Sequence, residues 1–127
     1  MSPPAWSSLR AAWWAHRAAH RTRQHLARGR LDDLVVIAPP ALPPADRRWV
    51  SALLRIRGDT CLVRSAVLQE WDAAHGWHRD LIIGVTSPTE GFRAHAWLDG
   101  EPARLSAGFQ ELTRRPPPEQ DADCGRA

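Results

Sequence analysis

Gly58-Asp59-Thr60 constrains this chain most, because it ends one regular segment and opens another. A breaker stands there before two residues whose side-chain oxygens can cap free backbone N–H groups, so a helix is expected from about Asp59 or Thr60. Leu62, Val63, Ala66, Val67, Trp71 and Ala74 then recur at three- and four-residue steps as far as Gly76. That spacing gives one apolar face and lets Arg64, Gln69, Glu70 and Asp72 point elsewhere. Leu81-Ile82-Ile83-Gly84-Val85 follows as a short apolar run, bounded by Arg79-Asp80 and by the turn-rich stretch from Thr86 to Gly91. It pairs naturally with residues 92–98 as an antiparallel hairpin. Helix, strand and strand in immediate succession call for an α+β unit in which the helix packs on the sheet with its first turn near one strand.

Two residues in this unit carry chemistry. Cys61 falls in the first turn of the helix, where the partial positive charge of a helix N-terminus favours a thiolate, the nucleophilic form of cysteine. His95 lies 34 residues later in the strand Phe92-Arg93-Ala94-His95-Ala96-Trp97-Leu98, and an imidazole is the group that takes a thiol proton in nucleophilic catalysis. Taken singly, each has a bland alternative: a small buried cysteine, and a hydrogen-bonded core histidine. The polar cap beside the one and the hairpin that presents the other argue for a Cys-His pair. Trp97 shares the face of His95 in a regular strand, so it either roofs the imidazole or packs in the core.

Cys61-Leu62-Val63-Arg64-Ser65, then Leu81-Ile82-Ile83-Gly84-Val85, then Phe92-Arg93-Ala94-His95-Ala96-Trp97 resemble the transglutaminase-like leader peptidase of lasso-peptide biosynthesis, the B protein or its C-terminal part. The likeness runs from roughly Pro43 to Leu112. It implies a papain/transglutaminase-like core, a Cys-bearing helix on a small antiparallel sheet of three or four strands. It also implies Cys61 as nucleophile, His95 as base and then acid, and removal of a leader from a ribosomally made precursor peptide, with no cofactor. The implied partners are a leader-binding recognition-element protein and the ATP-using lasso cyclase. Two other functions fit the same scaffold: a non-catalytic peptide-binding module, and an acyl-transfer enzyme such as a transglutaminase or deamidase.

The chain departs from that family where a third catalytic group is expected. An Asp about a dozen residues beyond the histidine would orient the imidazole, and this region reads Arg104-Leu105-Ser106-Ala107-Gly108. Asp99 is the nearest acid and the tentative third residue. In regular strand it would lie ~13 Å from His95, at about 3.3 Å per residue, and Asp99-Gly100 is a two-residue hairpin signal in its own right. A tight turn would set Arg104 opposite His95; a wider one would bring Ser106 there.

Charge is uneven along the chain. All 17 basic residues are arginines, and six of them fall in residues 1–30 with no acid, so the net +3 divides into a basic start and a remainder of −3. The start is expected to be a helix from a Ser7 or Ser8 cap to Gly29, burying Leu9, Trp13, Ala19 and Leu26, with Trp14 and the surface residues His16 and His20 at other angles. Such a segment is either a solvated face or a docking surface for a partner protein or an acidic peptide; nucleic-acid binding ranks last, without any motif for it. Leu34 to Ala38 is a short strand or buried connector. A further helix over about 45–56 would turn Trp49, Ala52, Leu53 and Ile56 inward.

Within 127 residues the expected organisation is one compact unit: helical and connecting segments over 1–58, a catalytic core over 59–115, and a disordered Pro-rich acidic tail over 116–127 that holds Cys124. Two cysteines so placed suggest a reducing compartment and give no metal signature. No apolar run is long enough to span a bilayer and no signal peptide is evident, so a cytoplasmic location is expected.

Overall fold

The computed structural model describes residues 6–29, 31–86, 89, 91, 93–102, 104 and 106–118. Three helices, α1 (Trp6–Arg28), α2 (Arg47–Arg57) and α3 (Cys61–Ala74), precede three strands, β1 (Leu81–Val85), β2 (Ala94–Leu98) and β3 (Gln110–Arg115), among these residues. The fold is α+β. The Pro-rich tail from residue 119 onward, with Cys124, lies outside the described residues.

Helix α3 is the hub. It was expected to be amphipathic, yet Val63 and every residue from Ser65 to Ala73 are buried, including Gln69, Glu70 and Asp72. The difference is tertiary: α1 and α2 pack on one side of α3 and the sheet on the other, leaving little of its circumference to solvent. Its polar groups are therefore bonded. Gln69 Nε2 donates to the carbonyls of Arg79 and Arg115 at 2.9 and 3.0 Å, and its Oε1 accepts from Arg115. Asp72, 2% exposed in its side chain, accepts from Arg47 at 2.8 and 3.1 Å and from Arg79 at 2.6 Å. Burial pushes the Glu70 carboxyl above its usual range, against the pull of Arg115, and burial lowers Arg115 in turn.

Helix α1 buries Ser8, Ala11, Trp14, Ala15, Ala18, Ala19 and Thr22. Leu9 and Trp13, expected inside, are instead 53% and 62% exposed. The small residues win because they let α1 lie close against α2 and α3, while Trp14 fills the remaining space, 5.7 Å from Trp71, and donates its indole N–H to Ile37 O. Ser8 is no cap; its hydroxyl donates to Asp46 at 2.8 Å and ties α1 to the 3₁₀ turn Pro44–Asp46 before α2. In α2 the buried pair is Val50 and Leu54, and Ile56 faces solvent. Residues 34–38 form an extended connector with Leu34 and Val36 buried and Val35 outside, not a strand.

The sheet runs β2-β1-β3, antiparallel throughout. The expected hairpin is present: Gly84 pairs with His95 and Ile82 with Trp97. Thr86 closes its loop, its hydroxyl accepting the Arg93 N–H at 2.9 Å and donating to Gly91 O. The chain then turns at Asp99-Gly100, with Gly100 at φ 93° and the Glu101 N–H donating to Leu98 O. It does not return beside β2. Strand β3 pairs with β1, with a bulge at Leu112, since Ile83 faces Thr113 and Gly84 faces Glu111. Gly84 has no room for a side chain: a Cβ there would lie 2.6 Å from the Trp97 ring and 2.9 Å from Gln110 O. The absent side chain is what admits the indole onto that face.

Candidate active site

Thr60 sets the position of Cys61. Its backbone is extended and its hydroxyl accepts the Val63 N–H at 3.3 Å, so α3 begins at Cys61. The first turn of a helix leaves backbone N–H groups without intrahelical acceptors and carries its partial positive charge. Cys61 is a half-buried free thiol, and its Sγ accepts the Ala96 N–H at 3.3 Å. One turn along α3, Ser65 donates its hydroxyl to Ala96 O at 3.4 Å. Both bonds reach the outer edge of β2. The Thr86–Arg93 and Asp99–Asp80 bonds show that the odd-numbered residues exchange bonds with the β1 side, which leaves the polar groups of Ala96 facing outward. The start of α3 is thus bonded to the residue that follows His95.

By strand alternation the His95 side chain projects from the face opposite to that of Ala96. Its half-buried ring lies 5.8 Å from Trp97, inclined at 22°, and 5.1 Å from Phe109, inclined at 39°. It also borders a cleft of about 460 Å³ at the edge of β2, shared with Ser65 and Ala96. The structure therefore ties Cys61 to the residue next to His95 in β2, while the imidazole itself lies on the other face of the strand. Among the described residues no hydrogen bond joins Sγ to the imidazole.

Asp99 sits in the turn after β2, 57% exposed in its side chain, with its carboxylate 3.5 Å from Arg114. It belongs to a surface cluster in which Arg114 donates to Glu111 at 2.7 and 2.9 Å and to Asp80 at 3.0 Å. These bonds hold the Glu111 carboxyl below and the Arg114 guanidinium above their ordinary ranges. Neither Arg104 nor Ser106 takes a sheet position opposite His95, because both precede β3 and β3 lies beyond β1.

Several neighbours escaped the sequence reading. Ser65 carried a usable signal, standing four residues after Cys61 and hence on the same side of α3. Phe109 carried none, since it reaches His95 only through the placement of β3. Arg47, Arg55, Arg64 and Arg79, which share the cleft with His95, come from three places in the chain: α2, α3 and the segment before β1.

A profile of the transglutaminase-like superfamily matches residues 5–115. No curated protein and no solved structure matches the chain. The superfamily is one of cysteine proteases and acyltransferases on a papain-like scaffold. Because the match runs from the first helix to the last strand and takes in Cys61 and His95 alike, the chain belongs to the transglutaminase-like superfamily.

Proposed function

We propose that this protein is a cysteine peptidase that removes the leader from a ribosomally synthesised lasso-peptide precursor, with Cys61 as nucleophile and His95 as general base and acid. The observation that carries the reading is the junction of α3 and β2: a helix-start sulfur 3.3 Å from the amide that follows His95. In the reaction the imidazole swings from its aromatic stack toward the strand edge and takes the Cys61 proton. The thiolate attacks the carbonyl at the leader junction. Backbone N–H groups at the start of α3, that of Cys61 among them, receive the oxyanion. The imidazolium gives its proton to the leaving amine of the core peptide, and water, deprotonated by the same ring, releases the leader from the thioester.

The resemblance of the three sequence segments supports the precursor, a leader-binding recognition protein and the lasso cyclase as partners. Leader cleavage followed by mass spectrometry tests the proposal: Cys61→Ala should abolish it while the fold is retained. Normal turnover by that variant would remove Cys61 from the mechanism. A second reading, a peptide-binding module without turnover, draws on the unclosed Sγ–imidazole contact and on the pairing of Asp99 with Arg114. Peptide binding with no cleavage by the native protein, recognition partner present, would favour it.

A further inference from the structure

The cleft beside His95 carries more positive charge than the protein neutralises. Arg47 and Arg79 share one carboxylate, that of Asp72. Among the described residues Arg55 meets only the neutral hydroxyl of Ser51, at 3.5 Å. The Arg64 side chain has no ion pair or hydrogen bond among the described residues. Of the described residues lining the cleft Glu101 is the one acid, and its Oε1 accepts the Leu98 N–H at 3.2 Å. Four guanidinium groups thus stand against two carboxylates, counting Asp72 behind the wall.

Two features make this a site as well as a charged surface. Arg79 is 93% buried, and its Nε has no acceptor although a buried donor is ordinarily bonded. Trp77 holds the arginines in place, with the Arg79 guanidinium 3.8 Å and the Arg47 guanidinium 5.9 Å from its ring. A guanidinium offers paired N–H groups that match the two oxygens of a carboxylate.

We propose that this cleft is a carboxylate-recognition subsite that takes an acidic side chain of the bound peptide, flanking the bond presented to Cys61, with Arg55 and Arg64 as the specificity-determining residues. Arg47 and Arg79 are both bonded to Asp72 and supply the fixed charge of the wall, with Arg79 Nε left without an acceptor among the described residues. Arg55 and Arg64 retain free donors at the rim. The inference rests on the peptidase reading for the bond presented to Cys61; the subsite itself requires only that a peptide enters the cleft beside Ser65 and Ala96.

The test uses full-length Cys61→Ala protein and a randomised, C-terminally amidated decapeptide library. Retained peptides are sequenced and compared with those retained by Cys61→Ala carrying Arg55→Gln and Arg64→Gln. Asp and Glu should be enriched over Asn and Gln at one position by about tenfold, the scale of one charge-assisted contact. The double substitution should erase the enrichment, and high salt should weaken it. Both arginines are solvent-accessible, so a matching thermal melt will certify the fold. Equal retention of acidic and amide residues, or no retention at all, overturns the subsite. Retention gained only by a non-amidated library, without Asp or Glu enrichment, also overturns it, since the carboxylate taken is then the peptide terminus. Because retention is read without turnover, a failed subsite leaves leader cleavage untouched, and absent cleavage by the native protein leaves the acidic preference standing.

Discussion

At the scale of single residues, the two halves of the proposed chemistry are fixed by different forces. Cys61 is placed by a local cap and by a bond to a backbone amide. His95 is placed by ring contacts with Trp97 and Phe109, and no carboxylate bonds to it among the described residues. An imidazole without a carboxylate partner gains less as imidazolium than one in a full triad. His95→Ala should therefore remove nearly all leader cleavage, while Asp99→Asn should cost less than about tenfold in kcat/KM, ~1.4 kcal/mol. The comparison is made on variants with matched thermal melts, since Asp99 also shapes the turn after β2. An equal loss at both positions would show that the turn refolds over His95 when peptide binds. The helix-start position of Cys61 and the strand position of His95 were legible in the sequence because a cap and an alternating strand are local patterns. The exposed position of Asp99 was legible only as a turn signal; its pairing with Arg114 needed β3.

At the scale of elements, Asp72 joins α3 to α2 and to the segment leading into β1, through Arg47 and Arg79. Removing one partner of a buried ion pair leaves the other charge uncompensated, at a cost of about 3–5 kcal/mol. Asp72→Ala should destabilise the fold by about 3 kcal/mol, the lower end, because Arg47 retains partial access to water. Chemical denaturation measures this directly. A loss below about 1 kcal/mol, the scale of an exposed pair, would mean that the arginines find other acceptors. Sequence periodicity assigned Asp72 to the outside of α3, since it counts apolar residues on one helix and knows nothing of the helices and sheet around it.

At the scale of the whole molecule, charge is separated. The exposed side of α1 presents Arg10, Arg17 and Arg21 beside the uncovered side chains of Trp6, Leu9 and Trp13, and these border a groove of about 770 Å³ against residues 37–40. As a further prediction, we propose this face as the docking surface for the precursor or its recognition protein. Arg17→Glu with Arg21→Glu should weaken that binding, more at low than at high salt, when followed by fluorescence anisotropy. Unchanged affinity at low ionic strength would identify a merely solvated face. Among the described residues no helix is long and apolar enough to cross a membrane.

The start of α3, its end near Gly76 and the β1–β2 hairpin were determined by sequence alone, because each depends on groups within a few residues: a hydroxyl reaching a nearby N–H, a glycine at positive φ, two apolar runs around a turn. Tertiary structure decided which stripes of α1 and α2 are buried, how polar α3 could be inside, and where β3 goes. That last choice has a concrete cause. Cys61 and Ser65 bond the outward-facing groups of Ala96 and so cover the edge of β2, leaving the open edge of β1 to receive β3. The same contacts that tie the Cys61 thiol to the residue after His95 thus leave the following strand the far side of the sheet.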